Sequence, residues 1–268
     1  MMKSIHELMS LEGRVAIVTG GAGYIGSAFC EALAEVGASI SVLDISSKKA
    51  EPVAQTVHDK FGRETQALGI DLSDEKLTRS VPDRVIERFG RIDILVNCAA
   101  FVGTSNLEGW TTPFLEQQSQ TWRDALEVNL TSVFVLTQVC VQALKKSGHG
   151  TIINVGSTYG AVGPDMRLYE GTPMGNPAAY AASKGGLLQL TRWLATVLAP
   201  DIRVNILSPG GVWRNQPEEF HQRYLDRTPL KRMAHEEDLK GAVVYLASDM
   251  SSYVTGQNIM VDGGWTVW

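Results

Sequence analysis

The chain has 268 residues, 44% of them apolar and 20% charged, with a formal net charge of −5. This is the balance of an ordinary globular protein, long enough to bury a core without disulfide staples, and it argues against a nucleic-acid surface. Cys30, Cys98 and Cys140 are widely spaced and odd in number, so free thiols in a reducing compartment are expected rather than a disulfide framework.

Met1–Gly13 carries Glu7 and Glu12 and has no uninterrupted apolar core of secretory type. Arg14–Thr19 reads as a first buried strand. Ile25–Val36 follows as a helix, with Ile25, Phe29, Leu33 and Val36 at helical spacing and Gly37 as its stop. Ser39–Asp44 is a second strand and Lys48–Phe61 a second helix. Thr65–Ile70 and Ile92–Asn97 are further strands, with a helix near Asp74–Phe89 between them. Gln118–Lys146 is a long helix, Thr151–Val155 a fifth strand, Ala178–Ala199 a helix and Arg203–Leu207 a sixth strand. A helix near Glu236–Ser248 precedes a seventh strand, Gln257–Val261. Val133–Leu144 is cut by Gln138 and Gln142 and Gly185–Ala199 by Arg192, so no segment is expected to cross a bilayer. A cytoplasmic protein without membrane or nucleic-acid partners is expected. His6, His58, His149, His221 and His235 are scattered, and no metal cluster is expected.

The alternation predicts one α/β domain over residues 1–268, a doubly wound parallel sheet of about seven strands with helices on both faces. Two irregular regions, Thr158–Pro177 and Gly210–Leu230, follow strand ends, where ligands bind in such sheets. They are expected to cover a substrate.

Thr19-Gly20-Gly21-Ala22-Gly23-Tyr24-Ile25-Gly26 closes the first strand and opens the first helix. Such a turn brings backbone N–H groups and a helix N-terminus to a pyrophosphate. Asp44 ends the second strand and can accept from adenosine ribose hydroxyls. It would repel a 2′-phosphate, which favours NAD over NADP, although Lys48 and Lys49 partly offset this. Tyr180 and Lys184 fall on one helix face. A cation ~4 Å from a phenol is worth ~4 kcal/mol at an effective dielectric of ~20, or ~3 pKa units. Lys184 is thus expected to acidify Tyr180 toward working pH, with Ser157 donating to a substrate oxygen.

With these residues together, the sequence resembles the short-chain dehydrogenase/reductase superfamily, a Rossmann-type fold, over nearly its whole length. The likeness includes Asn97-Cys98-Ala99-Ala100, Val128-Asn129-Leu130, Ser208-Pro209-Gly210, Thr255-Gly256-Gln257 and Val261-Asp262-Gly263-Gly264. The resemblance implies a catalytic tetrad of Asn129, Ser157, Tyr180 and Lys184, with Asn129 holding a water that relays protons to Lys184. It implies that Gly20, Gly23, Tyr24, Ile25, Gly26 and Asp44 hold the cofactor with Pro209, Gly210, Lys184 and Tyr180. It further implies that Asp71 and Leu72 contact adenine, that Asn97 and Ala99 line the cofactor, and that Val212 meets the carboxamide. Plainer roles stand beside these: Asn129 bonding a nearby backbone group, Asp71 as a cap or turn residue, Asn97 tying strands together.

Three departures stand out. Tyr24 takes the place of the middle glycine of the compact branch, giving a spacing that resembles the extended, sugar-nucleotide-modifying branch. Tyr180 lies 23 positions after Ser157, more than is usual, which predicts an added loop around Pro164–Gly171, at the substrate mouth or, alternatively, at a subunit contact. Arg214 stands where a threonine is usual. Arg167, Trp213, Arg214 and Ser157 are candidate substrate contacts, which suits a polar, anionic or hydroxylated substrate such as a sugar or sugar phosphate. The expected reaction is NAD(H)-linked interconversion of a secondary alcohol and a ketone. The alternatives are an NAD-dependent sugar epimerase or dehydratase, and an NAD-binding sensor without turnover. The family likeness implies a homodimer or homotetramer, with Trp265 and Trp268 near a contact.

Overall fold

The protein is described by a computed structural model covering residues 2–103 and 105–268. The seven strands are β1 (Val15–Thr19), β2 (Ser39–Asp44), β3 (Thr65–Gly69), β4 (Ile94–Asn97), β5 (Thr151–Val155), β6 (Arg203–Pro209) and β7 (Asn258–Val261). They form one sheet in the order β3-β2-β1-β4-β5-β6-β7. Every pairing is parallel. The central strands are buried on both faces, which is why they read as unbroken apolar runs. The chain order reverses between β1 and β4, so a crevice opens there at the carboxyl ends of the strands.

Helices cover both faces. On one side α2 (Tyr24–Glu35), α3 (Ser47–Phe61) and α11 (Glu237–Ala247) pack Phe29, Leu33, Val57, Leu239 and Val243 against Ile40, Val42 and Val96. On the other, α5 (Val81–Phe89), α7 (Ser132–Ser147) and α9 (Ala178–Leu198) pack Val85, Leu136, Cys140 and Leu194 against Ile17, Leu95 and Ile152. The doubly wound parallel sheet expected from the sequence is therefore the observed fold.

Several boundaries differ. The helix expected over Asp74–Phe89 is two, α4 (Glu75–Arg79) and α5, because Pro82 begins the second and supplies no N–H to continue the first. The long helix is α6 (Ser119–Leu126), a π-helical turn (Glu127–Thr131) and α7. A short α1 (Ile5–Met9) with a Ser4/Glu7 capping box lies near the N-terminus. Neither irregular region is featureless. The first holds α8 (Thr158–Ala161) and a 3-10 turn (Met166–Tyr169), and the second holds α10 (Glu218–Arg227).

Contrary to the sequence expectation, the helical stretch Ser119–Ser147 is long and apolar enough to cross a bilayer, with a mean hydropathy of 1.3 over its most apolar window. Gln138 and Gln142 do not lower the average enough. In the fold it is a core helix, with Val133, Val135, Leu136, Cys140 and Leu144 buried.

Trp265 is not a surface residue. It is 0% exposed, packed with Leu168, Phe220, Tyr224 and Met233. Its ring meets Tyr159 edge-on at 5.7 Å and lies 4.5 Å from the Arg227 guanidinium. Trp268 is exposed. Trp265→Ala is expected to destabilise the protein by ~3–5 kcal/mol through the cavity it leaves, measured by equilibrium denaturation.

Candidate active site

The glycine turn is built by close packing. Gly20 has φ +62°, and a methyl there would sit 2.8 Å from the Cα of Ala99. At Gly26 it would sit 2.1 Å from the Gly20 carbonyl oxygen, so no larger residue fits either place. Thr19 Oγ1 accepts from the N–H groups of Cys98 and Ala99 at 3.0 and 3.1 Å, tying the ends of β1 and β4 together. Gly23 is the N-cap of α2 and offers no side-chain cap. The first-turn N–H groups, those of Tyr24 and Ile25 included, are thus free of a capping side chain. This cradle fits a pyrophosphate. Asp44 stands beside it, its carboxylate accepting from Ala22 N–H at 3.1 Å and Ile45 N–H at 2.9 Å.

Not every expected cofactor residue faces the crevice with its side chain. Asn97 donates to Asn154 Oδ1 at 2.9 Å, and Asn154 donates to Thr191 Oγ1 at 2.8 Å. This buried ladder joins β4, β5 and α9, so only the backbone of Asn97 is left for a ligand. Asp71 accepts from the Ser73 N–H and hydroxyl at 2.9 and 2.7 Å and forms a turn. Leu72 packs at the edge of the core. Pro209 ends β6, Gly210 N–H donates to Val261 O at 2.9 Å, and Val212 pairs with Ala234.

Ser157, Tyr180 and Lys184 converge at the carboxyl end of β5. Ser157 is the N-cap of α8, and its Oγ accepts from Tyr159 N–H at 3.2 Å. Tyr180 lies in the first turn of α9. One turn on, Lys184 is only 4% exposed. Its Nζ donates to Val155 O at 2.7 Å and stands 5.8 Å from the centre of the Tyr180 ring. Gly160 in α8 presses on α9, where a methyl would meet Lys184 O at 2.7 Å. Asn129 sits in the π-helical turn. Its Oδ1 accepts from Phe101 N–H at 2.7 Å, and its Nδ2 donates to Phe101 O and Ser183 Oγ, both at 3.1 Å. Its carboxamide thus holds the chain after β4 against α9.

The expected acidification of Tyr180 by Lys184 is not what the environment produces. Burial raises the Tyr180 pKa. The Ser157 hydroxyl opposes the rise, and Tyr169 and Cys98 add to it. Burial also lowers Lys184 to about 8. Desolvation penalises the charged form of both groups and is the largest cause of both shifts.

The substrate side departs furthest from expectation. The Arg167 side chain is 77% exposed and paired to Asp165 at 2.7 Å. The Arg214 guanidinium lies 4.2 Å over the Tyr24 ring and pairs with Glu236 at 2.6 Å. It thus lies over the first turn of α2, at the glycine turn. Arg223 donates to the carbonyls of Leu168 and Glu170, and Arg227 pairs with Asp165 at 2.9 Å. These two arginines of α10 bolt the added loop down.

What faces Tyr180 instead is aromatic. Tyr159 and Tyr169 share a hydroxyl contact at 2.9 Å, and the Trp213 and His221 rings lie 4.2 Å apart, tilted by 38°. The segment after β4, in which no element is expected from the sequence, contributes Phe101, Leu107 and Trp110 to the apolar cluster that also holds Tyr180. It meets the added loop where Gly175 abuts Thr111. The apolar Phe101, Leu107 and Trp110 were its one visible signal.

The lowered Lys184 pKa carries a stability cost. Below pH 8 the fold bears the full cost of the buried charge. That cost fades as pH rises from about 8 toward 10.5, because there the unfolded chain holds a proton that the folded chain has lost. The cost is ~3 kcal/mol, and losing the bond to Val155 O offsets ~1 kcal/mol of any gain. Lys184→Met is expected to be more stable than the parent by ~2 kcal/mol near pH 7, the difference shrinking toward pH 10. Urea denaturation across that range checks it.

Comparison with known proteins agrees with this geometry. Residues 20–266 match the family model described as enoyl-(acyl carrier protein) reductase. The chain is 33% identical over 261 residues to the 3-oxoacyl-(acyl-carrier-protein) reductase FabG of Escherichia coli K12, covering 96% of this chain and 98% of that one. It superposes on a gluconate 5-dehydrogenase from Burkholderia cenocepacia in complex with NADP and tartrate, with TM-score 0.87 and 30% identity over 99% of this chain and 100% of the other. An NAD+-bound xylitol dehydrogenase gives TM-score 0.84 and 30% identity over 94% and 99%. With its parallel sheet, glycine turn and Ser157/Tyr180/Lys184 set, the chain belongs to the short-chain dehydrogenase/reductase superfamily.

Proposed function

We propose that the protein is an NAD(H)-dependent oxidoreductase that interconverts a secondary alcohol and a ketone on an uncharged, hydroxylated substrate. The observation that carries this is the meeting of Ser157, Tyr180 and a buried Lys184 beside the glycine turn. A bound nicotinamide dinucleotide supplies the hydride acceptor or donor. Its pyrophosphate would lie on the N–H groups of Tyr24 and Ile25, and its adenosine ribose against Asp44. Ser157 donates a hydrogen bond to the substrate oxygen. Tyr180 passes a proton to or from that oxygen. Lys184 is anchored by Val155 O and has two further N–H donors for the cofactor ribose. Asn129 and the Phe101 backbone fix the wall in front of Tyr180. The packed aromatic side chains exclude water from it.

The substrate proposal follows from where the cations went. Arg167, Arg214, Arg223 and Arg227 are each engaged by a carboxylate or by backbone carbonyls, which removes the support for a sugar phosphate. Tyr159, Tyr169, Trp213 and His221 offer ring faces and hydroxyls suited to a polyol or a cyclic ketone. Xylitol, for which one of the similar structures is named, is an uncharged polyol; gluconate, named for another, is polyhydroxylated but carries a carboxylate; a 3-oxoacyl chain is the competing class. NAD preference rests on Asp44 alone. Exposed Phe134, Trp193 and Val197 on α7 and α9 support a homodimer or homotetramer through those helices. The free thiols, Cys30 and Cys140 buried, agree with a cytoplasmic setting.

Tyr180→Phe is expected to lose at least ~10³-fold in turnover, in the range of a lost general acid–base, while still quenching tryptophan fluorescence on NADH addition. Undiminished turnover in that variant would overturn the assignment. Asp44→Ser is expected to shift the NADP(H)/NAD(H) ratio of kcat/KM by ~10-fold or more, equivalent to ~1.4 kcal/mol, in steady-state assays. A panel of polyols, cyclic ketones and 3-oxoacyl thioesters separates the substrate classes. Turnover of the thioesters alone would exclude the hydroxylated substrate.

A further inference from the structure

Tyr24 and Arg214 each replace a small residue that the superfamily commonly uses at its position, and the two replacements touch. Tyr24 opens α2 at the glycine turn after β1. Arg214 follows β6, which lies beyond β4 and β5 in the sheet. Three inter-strand spacings of ~4.8 Å separate β1 from β6, ~14 Å in all. Glycine and threonine side chains do not cross such a gap; an arginine and a tyrosine reaching toward each other do. The guanidinium stacks 4.2 Å from the ring centre. Its far edge pairs at 2.6 Å with Glu236, the N-cap of α11, and α11 packs on α2. Arg214 also donates to Trp213 O at 2.6 Å, and Trp213 N–H and Ala234 N–H bond to Ala234 O and Gly211 O. The segment carrying Arg214 is thus rigidly mounted. The Tyr24 ring, 71% exposed, is the movable half.

We propose that Tyr24 and Arg214 form a latch over the nucleotide crevice that limits the rate at which a dinucleotide enters and leaves. This rests on the dinucleotide-binding reading above. A cofactor lying along the carboxyl ends of β1, β4 and β5 has the latch across its path. Both residues act as positioning residues. A latch slows both directions of exchange, so breaking it speeds association and dissociation together and moves Kd less than either. A residue that only touched the cofactor would change dissociation alone.

The test is stopped-flow NADH binding and NADH displacement by excess NAD+, on the full chain and on Tyr24→Phe, Tyr24→Ala and Arg214→Lys. Tyr24→Phe keeps the ring face and is expected to retain the slow exchange. Arg214→Lys keeps the charge but loses the planar stack. Like Tyr24→Ala, it is expected to raise both rates ~5-fold, the equivalent of ~1 kcal/mol for a part-exposed cation–π contact. The double variant is expected to add nothing beyond either single one. The Tyr24 ring is exposed, so its removal uncovers no core, and thermal melts of all variants check this. Unchanged rates in Tyr24→Ala and Arg214→Lys, or a change in dissociation alone, overturn the latch while leaving the dinucleotide reading intact. Absence of both NADH and NADPH binding by the parent overturns that reading and the latch with it.

Discussion

A single ammonium group organises this site. Lys184 is almost wholly withdrawn from water, and one hydrogen bond, to the carbonyl of Val155, fixes where it points. A buried charge with so little compensation costs the fold free energy. It persists because the surroundings hold it in place. Val155 ends β5, Lys184 begins the second turn of α9, and the Asn97–Asn154–Thr191 ladder joins those two elements to β4. A satisfied polar ladder within an apolar sheet allows one packing of helix on strand and penalises the rest. The positions of Tyr180 and Ser157 follow from that packing.

Much of this was legible in the sequence, for physical reasons. Parallel strands buried on both faces produce apolar runs such as Val15–Val18 and Ile152–Ile153, which admit few other readings. The crossover helices stood out by their 3.6-residue period. Tyr180, Lys184, Ser157 and the glycine turn could be read because their chemistry depends on local spacing and on the strand ends they follow. What failed depended on distant partners. Nothing near Arg167 or Arg214 in sequence said that one would turn to solvent and the other to Tyr24; Glu236 lies 22 positions beyond Arg214. α10 was hidden because Phe220 and Tyr224 are its only buried residues in a strongly polar stretch. The directions in which Tyr180 and Lys184 shift were not legible because their largest cause is burial, which sequence spacing does not report.

The cover over the site is a fixed wall. Arg223 and Arg227 of α10 grip the added loop by its carbonyls and by Asp165, and Leu168 and Trp265 fill the space between. The excursion that carries α10 leaves and rejoins the fold at Asn215 and Lys231, both with left-handed backbone, φ 54° and 55°. These conformations are tolerable for asparagine and costly for lysine. Turning the chain sharply at both ends keeps α10 close to the sheet and aims its aromatic side at Tyr159 and Tyr169. Tyr159 and Tyr169, packed in this way, present ring faces and hydroxyls beside Tyr180.

Gly160 gives the site its scale. Because that residue ends in a hydrogen, the short helix bearing Ser157 rests directly on the backbone of the helix bearing Lys184. A single added carbon would work as a shim, prising the hydroxyl-bearing helix off its neighbour and widening the gap between Ser157 and Lys184. The spacing between Ser157 and Lys184 is thus gauged by an atom that is missing.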